Sequence, residues 1–273
     1  MCRWLAYAGP PIHLDTLVLR PEQSLITQSR SAHLGVTSLN ADGFGVGWYG
    51  EKPEPGVYRD ILPAWNDENL KSLAEHVKSR LFFGHVRAAT DTAVTRVNSH
   101  PFSHDRWLFM HNGAIPNFNR IRRALTLRIR PDLFSCLLGT TDSEVFFYLL
   151  LTHGLEDDPE GAFARAVGVV LAEMDDAGVT GHLAVTAALT DGATVYALRF
   201  ANDDRPPSLY YSLGARPLTA AGVPAVEAET GCLIVSEPLD DVHAAWQQVP
   251  PSHLLVAADG AIDTVPFAPA TAG

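Results

Sequence analysis

Apolar and polar positions alternate along several stretches of this chain, and elsewhere apolar residues recur at helical spacing. Alternating or compact apolar runs predict strands at Arg3–Ala8, Phe44–Tyr49, Leu81–Arg87, Trp107–His111, His182–Leu189, Thr194–Phe200, Leu209–Leu213, Cys232–Ser236 and Leu254–Ala257. Asp191-Gly192 between two of these runs is a hairpin signal. Leu70, Leu73, Val77 and Leu81 share a helical face behind the polar start Asn66-Asp67-Glu68. Phe163, Val167, Val170, Leu171 and Met174 form a wider stripe that opens on Asp158-Pro159, a cap and first-turn pair, and stops at Gly178. A third helix runs from about Asp142 through Val145, Phe146, Leu149 and Leu150, and Thr141-Asp142-Ser143-Glu144 before it reads as a capping box. Strands come first and last, with helices in the middle. This order disfavours a doubly wound parallel sheet and predicts an α+β architecture of antiparallel sheet packed with helices. One domain over residues 2–267 is expected, with residues 268–273 as a small, proline-containing tail that frays.

Composition adds exclusions. The chain has 273 residues, 47% of them hydrophobic, enough for a sizeable core without staples. Its formal net charge of -11 argues against nonspecific binding to nucleic acid or anionic membranes and leaves a small-molecule substrate or a protein partner. Cys2, Cys136 and Cys232 are far apart and show no CxxC spacing, which points away from a disulfide framework or a zinc ribbon. No apolar run approaches a membrane span. Arg3 and Asp15 interrupt what would be a signal peptide, so a reducing cytoplasm, in which Cys2 stays a free thiol, is expected.

The candidate chemistry is spread along the first half. Met1 precedes the small residue Cys2, so removal of Met1 would leave a cysteine with a free α-amine. Such an amine titrates near pKa ~8 and can activate its own thiol. A cysteine at position two is also often nothing more than a small residue. Leu81-Phe82-Phe83 runs toward Arg87, whose planar fork suits a substrate carboxylate or, equally, a structural acidic partner. Trp107–His111 ends in Asn112-Gly113, a side-chain amide beside a glycine N–H that could serve one oxyanion, or a plain type I′ turn. Asp142 could grip an α-ammonium or cap its helix. In Asn40-Ala41-Asp42-Gly43-Phe44-Gly45 the glycines suit tight backbone packing and make no nucleotide fingerprint. His85, His100, His104 and His111 lack metal-site spacing, so no metal and no other cofactor is expected.

The order of these pieces resembles the class II glutamine amidotransferase domain of the N-terminal-nucleophile hydrolases. It runs Met-Cys, then N-A-D-G-F-G, H-x-R-x-A-T, N-S-H-P-F, H-N-G and T-D-S-E, from Cys2 to about Leu150. Ser236-Glu237-Pro238-Leu239 and the stretch from Trp246 to Leu255 look like the last strands of the small stand-alone members, among whose relatives is the γ-glutamyl hydrolase of the ergothioneine pathway. The resemblance implies a four-layer αββα sandwich of two largely antiparallel sheets flanked by helices. It implies Cys2 as nucleophile and, through its amine, base; Asn112 and Gly113 as oxyanion hole; Arg87 with Thr90 for the α-carboxylate; Asp142 for the α-ammonium; and His100 near the pocket. Larger amidotransferases carry a tryptophan where this chain has Ala88. No acceptor or synthase domain is recognisable, so the nitrogen would pass to a separate synthase or acceptor subunit, or be released by plain hydrolysis. The alternatives are a catalytically silent glutamyl-binding scaffold of the same fold, a γ-glutamyl hydrolase acting on a thiol-histidine-type metabolite, and a metal-dependent hydrolase that uses the histidines.

Overall fold

A computed structural model describes residues 2–32, 34, 39–89, 92–212, 216–224 and 229–271. Its strands are β1 Arg3–His13, β2 Phe44–Trp48, β3 Gly56–Asp60, β4 Lys78–Val86, β5 Phe102–His104, β6 Trp107–Ala114, β7 Ala184–Thr190, β8 Val195–Ala201, β9 Tyr210–Ser212, β10 Cys232–Val235, β11 Trp246–Gln248, β12 His253–Ala258 and β13 Ala261–Pro266. The helices are α1 Asp15–Val18, α2 Leu25–Arg30, α3 Glu68–His76, α4 Phe118–Leu127, α5 Pro131–Phe134, α6 Asp142–Thr152, α7 Pro159–Asp176 and α8 Arg216–Ala220.

The strands form two antiparallel sheets. One has seven strands in the order β11-β9-β10-β1-β4-β2-β3, and the other has six in the order β13-β12-β8-β7-β6-β5. Side chains of a strand alternate between its two faces, and that alternation sorts the core into layers. On β1, Trp4 and Ala6 join a cluster with Phe83, Leu108, Met110, Ala188 and Leu255, which is the layer between the sheets. Leu5 and Tyr7 face the other way, toward Leu17, Leu25 and Leu70 under α1, α2 and α3. On β6, Phe109 points outward to Phe146, Phe147 and Phe163 of α6 and α7. The result is the expected four-layer αββα sandwich.

The helix signals are met with two differences. Asp67 caps α3 by accepting from Leu70 N, and Asp158 caps α7 by accepting from Gly161 N. The α3 stripe overran its helix, because Val77 is already the cap residue and Leu81 belongs to β4. Thr141 caps α6 through Glu144 N at 3.1 Å. The Glu144 carboxylate does not reach back to close the box; it accepts from Leu138 N and Gly139 N and so holds the preceding turn. Asp191 accepts from Ala193 N and Thr194 N, and Gly192 takes φ 94° at the expected hairpin. Leu213, the expected end of the strand run that begins at Leu209, lies outside the described residues. Beyond Pro266, Phe267 N donates to Ser252 O, and Ala270 N to Ala164 O on α7.

Candidate active site

The register of β1 against β4 sets the site. Arg3 faces Val86, so Cys2 and Arg87, one residue further in each strand, come to the same end of the sandwich. The loop before β2 grips that end: Asp42 N donates to Arg87 O, Arg87 N to Gly43 O, and Ala89 N to the Asp42 carboxylate at 2.8 Å. Glycine is required here. A Cβ on Gly43, at φ 114°, would meet Asp60 O at 2.7 Å, and one on Gly45 would collide with His100 O. The glycines of this segment are packing glycines, as expected.

Cys2 is half-buried and free. Its Sγ lies 3.7 Å from Ala88 O, and its carbonyl accepts from Arg3 Nη1 and Asn112 Nδ2, both at 2.9 Å. Arg3 is itself fixed by a buried 2.7 Å pair with Glu237. Burial pushes the Cys2 thiol up; the Ala88 hydrogen bond and the charges of Arg87 and Arg3 pull against it. Asn112-Gly113 is not a turn. Both residues lie within β6, opposite Thr186 and Val185 of β7. A Cβ on Gly113 would collide with Ala184 O, so only glycine fits that rung.

Arg87 is 3% exposed. Its guanidinium donates to Thr92 Oγ1 at 2.7 Å and to the carbonyls of Asp42 and Ala93 at 3.4 Å. Among the described residues it has no ion pair. Asp142 opens α6 and accepts from Ile115 N at 2.9 Å and from Ser143 N at 2.8 Å, which docks the helix start on the end of β6. His100 is buried and stacks on His85, ring centroids 4.2 Å apart. A cavity of about 320 Å³ gathers Cys2, Arg87, His100, Gly113 and Asp142. Asn112 sits beside it, behind the Cys2 carbonyl. Thr90 lies outside the described residues. A larger cleft of about 820 Å³ opens elsewhere, along Gly9, Arg80, Gly192 and Asp259, and its one thiol, Cys232, is pushed by burial to about 12. Volume alone would favour that cleft; the convergence of nucleophile, cation and carboxylate favours the smaller one.

Several neighbours were not singled out from sequence. Thr92 orients Arg87. Asp42, inside a motif whose glycines alone drew notice, fixes the chain at Ala89. Ser143 pairs with His111: the His111 Nε2 faces Ala184 O at 3.3 Å, so that nitrogen carries the proton, and Nδ1 accepts from Ser143 Oγ at 2.9 Å. His111 and Ser143 stood in the H-N-G and T-D-S-E runs, yet nothing in one sequence says that these two runs touch.

Burial holds His85, His100 and His111 neutral. It lowers His85 to about 3 and also lowers His100 and His111. The unfolded chain therefore binds protons below about pH 6.5 that the folded chain refuses, and stability is lost as pH falls from there toward 3. Thermal melts should show Tm declining below about pH 6.5, and a His85→Phe variant should show a shallower decline. Equal slopes for the two proteins would contradict the burial of a neutral His85.

The chain belongs to the family "Glutamine amidotransferases class-II", whose model matches residues 22–272. It is 35% identical to the probable glutamine amidotransferase DUG3 of Saccharomyces cerevisiae, over 93% of this chain and 81% of that one. It is 28% identical to the γ-glutamyl-hercynylcysteine sulfoxide hydrolase of Mycolicibacterium smegmatis, over 98% and 100%. A solved glutamine aminotransferase class-II domain protein from Silicibacter pomeroyi superposes with TM-score 0.77 at 35% identity, covering 98% of this chain and 99% of that one. No helix among the described residues is long and apolar enough to cross a membrane.

Proposed function

We propose that this chain hydrolyses the side-chain amide of glutamine or a related γ-glutamyl amide through a thioester on Cys2. The observation that carries the reading is Arg87: a buried cation, opening on the cavity of Cys2, with only carbonyls and a hydroxyl for partners among the described residues. A buried charge without a contacting carboxylate is costly, and a substrate carboxylate would supply one through two parallel hydrogen bonds. Asp142, also on the cavity wall, complements an α-ammonium. Holding both ends leaves the γ-carbonyl facing Sγ, and such orientation can supply a large share of the rate.

In the first half-reaction the Cys2 α-amine, freed by removal of Met1, takes the thiol proton. Sγ attacks the amide carbon, and Asn112 Nδ2 and Gly113 N–H receive the developing oxyanion. The proton passes to the departing nitrogen, and ammonia or an amine leaves. Water then releases glutamate. The names of the relatives support a γ-glutamyl amide. A separate synthase or acceptor subunit would take the nitrogen in a true amidotransferase, and a silent glutamyl-binding scaffold would retain Met1.

Glutamate release from a panel of γ-glutamyl amides, glutamine included, tests the reading. Arg87→Lys should raise KM by at least about tenfold, with a smaller change in kcat, because a point charge cannot reproduce the planar fork. A kcat/KM equal to that of the unsubstituted protein would remove Arg87 from the binding role.

A further inference from the structure

Behind Cys2, the layer between the sheets carries polar atoms that the fold does not use. Trp4 Nε1 and both ring nitrogens of His85 and of His100 are buried, with no hydrogen-bond partner among the described residues. Trp4 and His85 are register partners on β1 and β4. Both face the inter-sheet side: Trp4 joins that cluster, and His85 alternates with Phe83 of the same cluster, while Phe82 and Val86 point to the helices. The His111 main chain lies beside His85 and partly offsets the effect of burial on that ring. Because His85 and His100 stack at 27°, their nitrogens lie on the rims of the stack and cannot bond each other. His100 also lines the cavity of Cys2, which connects this polar patch to the nucleophile.

Each orphaned group is destabilising if left dry. Folded proteins satisfy such groups with ordered water, which needs several polar partners at one place. Here the unpartnered groups belong to neighbours: Trp4 and His85 are register partners, and His100 stacks on His85. Burial holds both rings uncharged, so each keeps one acceptor and one donor.

We infer that ordered water held by Trp4, His85 and His100 supplies the nucleophile that hydrolyses the Cys2 thioester. This rests on the thioester reading above. The water oxygen bonds to the thioester carbon while one water proton passes to the Cys2 α-amine. The C–Sγ bond then breaks, the sulfur takes that proton, and glutamate leaves with free thiol and amine restored. Trp4, His85 and His100 act here as positioning residues, and no further reagent is needed.

The test is the partition of the glutamyl-enzyme between water and added hydroxylamine, which arrives from solvent. His85→Phe keeps a stacking ring and removes both nitrogens. It should leave kcat/KM, which reports acylation, within about twofold, and raise the hydroxamate-to-glutamate ratio about tenfold as thioester accumulates. His85→Gln, which restores a donor and an acceptor, should recover part of the normal ratio. An unchanged ratio in His85→Phe would overturn the inference, as would a proportional fall in both products, which is what a merely structural role predicts. Should His85→Phe fail to fold, Trp4→Phe takes its place: a raised ratio supports the inference, and an unchanged one overturns it. Absence of any hydroxamate from the unsubstituted protein would instead sink the thioester reading itself.

Discussion

Cys2→Ala is expected to lower glutamate release by at least about 10⁴-fold while leaving the melting temperature nearly unchanged. Removing the nucleophile of a covalent mechanism leaves only binding and oxyanion stabilisation, which supply a small remainder of the rate. The fold should not notice. What the structure holds at this residue is its carbonyl, fixed by Arg3 and Asn112, while Sγ makes a single long contact to Ala88 O at 3.7 Å. The two readouts must therefore separate: activity lost, unfolding transition kept. A variant that retains a tenth of the activity would place the nucleophile elsewhere, and one that melts far lower would mean Cys2 is structural.

Asn112→Ala should be the next most damaging change, with kcat down about 10²–10³-fold and KM little altered. An oxyanion donor acts on charge that exists only in the transition state, so its loss appears in kcat. Asn112 has a second duty, the 2.9 Å bond from Nδ2 to the Cys2 carbonyl. Losing a hydrogen bond of this kind costs about 1 kcal/mol of stability, so a modest drop in Tm should accompany the loss of rate. A rise in KM with kcat preserved would argue that Asn112 binds the ground state and does not serve the oxyanion.

Much of the architecture was legible because the strands that build the site are buried on both faces. β4, β6 and β7 read as apolar runs and were anticipated near their true limits; β1 was expected to end at Ala8 and runs on to His13, past a register irregularity where its residues are half-buried or exposed. Edge elements were not. β3 is Gly-Val-Tyr-Arg-Asp and mostly half-buried, and β13 is almost wholly exposed, so neither needs an apolar pattern. α4 was missed for a different reason. It starts at Asn117 in a left-handed conformation without a side-chain cap, and only Ile121 and Leu125 among its ten residues are buried.

The candidate residues were named from the order of short motifs, and the register of β1 with β4 explains why two distant ones share an end. Cys2, Arg87, His100, Gly113 and Asp142 line one cavity. Asn112-Gly113 had two readings, and strand pairing with β7 excludes the turn. Relations across the fold stayed out of reach. The Ser143–His111 bond, the hold of Thr92 on Arg87, and the unpartnered nitrogens of His85 depend on which strands and helices meet, which a local pattern does not encode.

Mass analysis of the enzyme, acid-quenched during turnover of a γ-glutamyl amide and digested, tests the central claim most directly. The first peptide should begin at Cys2, lack Met1, and carry a glutamyl group on that cysteine that hydroxylamine removes. A first peptide that still begins with Met1, or a glutamyl adduct on any other residue, would contradict the account.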